Sequence, residues 1–163
     1  LLSDLGTGTE VQETGIKLAR SLIKKAPENG ALPVLLGHYY QRKGQGKEAV
    51  KIWEAAFSKT GDTYFLYLME KVFREDKKLD EMLKRYGKIY RATPKNLETA
   101  FLYARLCLET DKTEVAEKVL VSLPNEVWGH PSFGLLKADL LIRQKKEKEA
   151  FDVCRHGIEQ ERL

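Results

Sequence analysis

Apolar positions recur with a helical period along almost the whole chain. Ile16, Ala19, Leu22 and Ile23 form one such stripe, and Thr9 with Gln12 has the form of a capping box opening it. Pro27, Asn29 and Gly30 close that helix after about Lys25. The next helix is expected over residues 32–43, with Pro33 in its first turn, where proline is tolerated. Gly44 and Gly46 then supply a turn. The same reading predicts helices over residues 47–58, 63–74, 79–92, 97–109, 113–123, 132–143 and 147 to about 160. Residues 124–131, PNEVWGHP, form the longest irregular connection. Trp128 in it either folds back onto neighbouring helices or stands out as an anchor for a partner. No segment sustains period-two alternation, so no sheet is predicted.

The helices are copies of one another. Ala49, Met82, Ala116 and Ala150 recur at intervals of 33, 34 and 34 residues. Four positions further on stand Trp53, Tyr86, Leu120 and Cys154, and three beyond those Ala56, Ile89, Leu123 and Gly157. In the preceding helices Leu36, Met69, Tyr103 and Lys137 correspond, as do Gly37, Glu70, Ala104 and Ala138, then Tyr40, Phe73, Cys107 and Leu141. One period before Ala49 lies Gly15, followed by Ala19 and Leu22, so the opening helix reads as the second half of a repeat. The physical reason is close approach: Gly37 and Ala49 let two backbones meet while Tyr40 and Trp53 fill the space beside them. No single pair buries its apolar face alone, so neighbours must stack.

This period and pattern resemble the tetratricopeptide repeat family over about residues 12–160, most closely at Leu36, Gly37, Tyr40, Ala49, Trp53 and Ala56. Glu70 and Lys137 depart from the pattern where small or apolar residues are usual, Met82 replaces an alanine, and Pro124 comes early. The resemblance implies an all-α fold, a right-handed α-α superhelix of about nine helices. It would comprise a half-repeat at 9–28 and repeats at about 30–62, 63–96, 97–130 and 131–163, in one domain. A second, weaker resemblance is to the repeat domains of bacterial membrane-anchored proteins that regulate lipopolysaccharide assembly. Those continue into a cysteine-rich zinc module, which the chain's last residues, DVCRHGIEQERL, would precede.

In the tetratricopeptide family the first helix of each pair lines a concave groove. Carried over, the groove positions are Val34, His38, Gln41 and Arg42; Tyr64, Tyr67, Lys71 and Arg74; Phe101, Arg105 and Leu108; Leu135, Asp139, Ile142 and Arg143. Aromatic and arginine side chains are common interface anchors, so a peptide or partner helix with acidic and apolar residues would suit this face. The alternative is that the charges are a solvated helix face and the tyrosines pack between repeats. Asn is absent from every groove position, which argues against the carboxylate clamp of the family's chaperone-tail binders.

Composition narrows the function further. The chain has 163 residues, 28 basic and 24 acidic, well mixed, with a net charge of +4. A nucleic-acid binder concentrates basic charge on one face, so nucleic acid is not the expected partner. There is no run of the ~18 apolar residues that a membrane span needs, and no signal-peptide pattern. The chain begins at Leu1, so it is expected to be a piece of a longer protein whose remainder could carry an anchor. Two cysteines, Cys107 and Cys154, with no CxxC, fit a reducing compartment and a cytoplasmic location.

No catalytic signature stands out. Gly6-Thr7-Gly8 lacks the strand and the Gly-Lys-Ser/Thr of a phosphate loop. His38, His130 and His156 fall in different elements without metal-ligand spacing, and Cys154 and His156 point to different faces of one helix. The expectation is a non-enzymatic interaction scaffold with no metal, no cofactor and no small-molecule substrate. It would bind another polypeptide in its groove through His38, Gln41, Arg42, Tyr64, Tyr67, Lys71, Arg74, Phe101, Arg105 and Arg143. The alternative is a regulatory or assembly domain of an envelope protein, acting through its outer face or as a homo-oligomer.

Overall fold

The computed structural model describes residues 9–160, with side chains from Val11 to Arg155 apart from residue 129. The readings of the glycines at 6 and 8, of the Thr9 cap and of His156 and Gly157 lie outside the described side chains. Among the described residues there are nine α-helices, one short 3-10 helix and no strand. They are α1 (Thr9–Lys25), α2 (Ala31–Arg42), α3 (Gly46–Thr60), α4 (Tyr64–Glu75), α5 (Leu79–Ala92), α6 (Leu97–Glu109), α7 (Thr113–Val121), the 3-10 helix (Asn125–Gly129), α8 (Pro131–Arg143) and α9 (Glu147–Gln160). Among the described residues no helix is long and apolar enough to cross a membrane.

The helices end within two residues of where the apolar pattern places them. α7 is the short one, stopping at Val121 rather than at 123. Pro124 disfavours helical backbone at the residue before it. The chain then makes the 3-10 turn and buries Leu123 and Val127, so the connection returns the apolar surface that the shortened helix lacks. Trp128 folds back beside them against the buried cluster of α6, α7 and α8. The Lys137 ammonium lies 4.7 Å from its ring centroid, which accounts for a lysine at an otherwise apolar repeat position.

The link from each first helix to its second is the same turn four times. Gly44, Lys77, Asp111 and Lys145 all adopt left-handed backbone, with φ of 72°, 58°, 57° and 62°. The next residue donates its N–H back across the turn: Gln45 to Tyr40 O, Lys78 to Phe73 O, Lys112 to Cys107 O and Lys146 to Leu141 O, at 2.7–2.9 Å. This is a Schellman closure, which satisfies carbonyls left open at a helix C-terminus. Other ends use side chains. Asn96 Oδ1 accepts from Thr99 N at 2.9 Å to open α6, and His130 Nδ1 accepts from Ser132 N at 3.3 Å to open α8.

The chain divides into two compact units at Lys78/Leu79. In the first, α2 packs on α1 and α3, and α3 on α4. Its core holds Leu36, Trp53, Phe65, Leu66 and Met69, each no more than 2% exposed. In the second, α6 packs on α5, α7 and α8, and α9 covers α8. Ala100, Ala104, Cys107, Ala116, Leu120, Phe133 and Leu136 form its main cluster, with Ala138, Leu141 and Ala150 as a smaller one. The most consistently buried repeat position is the one that opens each second helix: Ala49, Met82 and Ala116 are fully enclosed and Ala150 nearly so. Glu70, at the small-residue position held elsewhere by Gly37, Ala104 and Ala138, is buried too, its carboxylate accepting from Arg74 Nη2 at 2.8 Å.

Candidate functional site

In the first unit the expected groove residues lie on α2 and α4. The His38 ring stands edge-on to Trp53, centroids 5.4 Å apart, and its Nδ1 lies 3.4 Å from Gln41 Oε1. Gln41 Nε2 in turn donates to Glu75 Oε2 at 3.0 Å. Gln41 and Glu75 sit one repeat apart, each in the last turn of its helix, so this bond ties the two helix ends together. Glu75 is a contact that sequence reasoning did not single out.

Tyr64, Tyr67 and Lys71 share one face of α4 at spacings of three and four. Tyr64 is 51% and Tyr67 40% exposed, more than an aromatic packed between repeats would be. Buried Phe65 and Phe73 take the core-facing role instead. Lys71 and Arg42 are exposed and have no carboxylate partner among the described residues. Arg74 differs, because its guanidinium is held by Glu70.

In the second unit Phe101 on α6 packs edge-on to Phe133 on α8, centroids 5.3 Å apart and rings at 67°. Phe101 is thus half-buried and serves the core as well as the surface. Arg105 lies 3.9 Å from Glu109 one turn later. Arg143 is held twice, donating from Nε to Asp139 Oδ1 at 3.1 Å and from Nη1 to Asp111 Oδ1 at 2.9 Å. What this face leaves open is apolar, with Leu135 and Ile142 on α8 66% and 57% exposed. The cations carried over from the repeat pattern therefore separate into two kinds. Arg74, Arg105 and Arg143 have carboxylates of their own, whereas Arg42 and Lys71 are available to a partner.

The remaining chemistry is sparse. Among the described residues no group of three or more His, Cys, Asp or Glu side chains could hold a metal ion. Both cysteines are free. Cys107 is fully enclosed, and burial pushes its thiol up to about 11, so it is a neutral packing group. Tyr103 is likewise raised, first by burial and then by Cys107. Cys154 is half-buried against the α8–α9 cluster rather than fully inside.

No family model matches the sequence, and no curated protein matches it. Among solved structures, the crystal structure of MamA matches with a TM-score of 0.54 at 12% identity, over 94% of this chain and 91% of that one. At that identity the likeness concerns the fold. It does not bear on the resemblance to regulators of lipopolysaccharide assembly. Together with the repeated turns and the aligned buried positions, it makes the chain an all-α helical repeat of tetratricopeptide-like fold.

Proposed function

We propose that the chain is a non-enzymatic scaffold that binds another polypeptide on the first helices of its pairs. The observation that carries this reading is the face of α2 and α4, where exposed Tyr64 and Tyr67 stand with unpartnered Arg42 and Lys71. Exposed tyrosines give large contact area at low conformational cost, and free cations choose the partner's sign. The ligand is a segment that alternates apolar side chains with Asp or Glu. His38 and Gln41, held by their mutual contact and by Glu75, form a fixed polar edge beside it. On the second unit, Phe101, Leu135 and Ile142 would offer an apolar surface to a segment of this kind, with Arg105 and Arg143 as structural cations there, the part that Arg74 plays within the first unit.

The reading needs no cofactor and no bond-making group. It is tested by placing a photo-crosslinking residue at Tyr67 and, separately, at Val121 on α7. Cross-linking from 67 alone, to a polypeptide identified by mass spectrometry, and its loss on Arg42→Glu/Lys71→Glu, support the proposal. Equal capture from both positions sinks it. Capture of a second copy of the chain from 67 replaces it with self-association.

A further inference from the structure

A cleft of about 660 Å³ lies in the first unit between α1 and α3, with α2 at its base, and none of the proposed ligand-face residues of α2 and α4 lines it. Arg20, Ile23, Lys24 and Pro27 form one wall. Pro33 and Leu36 lie at the floor, and Ile52, Ala55 and Ala56 belong to the α3 wall. Ala56 on the α3 wall stands where two later copies have Ile89 and Leu123 and the last has Gly157. Its volume is within the ~300–1,000 Å³ usual for binding clefts.

The rim is basic. Arg20, Lys24, Lys51 and Lys59 face a single carboxylate, Glu48, in a chain whose whole charge is +4. Glu48 is taken by Lys51 at 2.6 Å, and Arg20 Nη2 donates to Tyr40 Oη at 3.1 Å. Lys24 on one wall and Lys59 on the other are exposed and have no partner among the described residues. An apolar floor between two unpaired lysines is complementary to a helix with an apolar face and acidic flanks. The two walls run along helices, and Lys51 to Lys59 spans ~12 Å at helical rise, so about two turns of a guest fit.

We propose that this cleft is a second docking site, for an acidic amphipathic helix of another protein, independent of the α2–α4 face. The probe is a fluorescein-labelled helical peptide of about 14 residues, leucines along one face and glutamates flanking them. Its binding is read by fluorescence anisotropy, with the fold of each variant checked by circular dichroism. Saturable binding is expected, weakened roughly tenfold or more by Lys24→Glu/Lys59→Glu and by Ala55→Trp, which narrows the cleft from its α3 wall. The charge-matched pair Lys88→Glu/Lys118→Glu on the second unit leaves it unchanged, and a photo-crosslinker at residue 55 captures the peptide. The absence of saturable binding overturns the proposal. So does equal weakening by the two charge pairs, or capture from residue 67 instead of 55. Sedimentation with anionic phosphatidylglycerol vesicles that the cleft lysines govern, with the peptide ignored, assigns the site to a lipid surface and also overturns it. Concentration-dependent dimers abolished by Ala55→Trp do the same in favour of a second copy.

Discussion

Trp53 lays its indole against the Cα of Gly37, so closely that a Cβ at residue 37 would collide with Nε1 and Cε2 of the ring. The indole is fully enclosed, and its Nε1–H meets no acceptor among the described residues. An unpaired buried donor costs ~1–3 kcal/mol, so packing alone holds the ring there. Burying a side chain of this size, with the His38 ring on its edge, offsets that cost. The glycine and the tryptophan are therefore one structural unit spread over two helices.

Gly37→Ala is expected to destabilise the chain by ~2–3 kcal/mol or more, because the ring has no free direction in which to retreat. Urea unfolding measures the loss. Trp53→Leu in the same background should restore part of it, giving a coupling of opposite sign in a double-mutant cycle. An alanine at 37 that costs nothing would show that the contact is looser than described.

The recurrent turn makes a different prediction. Lys77 and Lys145 hold left-handed backbone that costs a residue with a Cβ ~1–2 kcal/mol relative to glycine. Lys77→Gly and Lys145→Gly should each raise stability by ~0.5–1 kcal/mol, part of the strain relief being offset by a looser unfolded chain. Asp111→Gly should gain less, because it also removes one of the two carboxylates that hold Arg143. Thermal unfolding of the three variants orders them.

These turns also show what the sequence discloses and what it hides. Helix ends and the tightest core positions were legible because the position held by Ala49, Met82, Ala116 and Ala150 is buried in every copy. The left-handed Lys77 and Lys145 were not, because the signal for that conformation is glycine, and only Gly44 carries it. The groove cations were half legible. Glu70, Glu109 and Asp139 stand one turn from Arg74, Arg105 and Arg143, a spacing that itself announces a pair. The Asp111–Arg143 contact spans 32 residues and needed the fold. The α1–α3 cleft was hidden for another reason: its two walls come from helices one repeat apart, and a pattern of buried positions does not show the space left between them.

Cys107 gives a pH dependence. Its folded thiol is raised from 9.0 to about 11 by burial, so the unfolded chain releases that proton first as pH rises. The stability it contributes is complete below about pH 9 and is lost as pH climbs to about 11. Urea midpoints should therefore fall across that window, and Cys107→Ala should flatten the fall while costing packing. At neutral pH a thiol reagent should modify half-buried Cys154 well before enclosed Cys107.

The most direct test of the scaffold reading is the affinity of the purified chain for the polypeptide captured at Tyr67, compared across charge variants. Arg42→Glu/Lys71→Glu should weaken binding by roughly thirtyfold or more, and added salt should weaken the parent chain in the same direction. Lys88→Glu/Lys118→Glu, which makes the same change in net charge elsewhere, should leave affinity within about twofold of the parent. Unchanged affinity in Arg42→Glu/Lys71→Glu, or equal loss in both pairs, would contradict a partner held on the α2–α4 face.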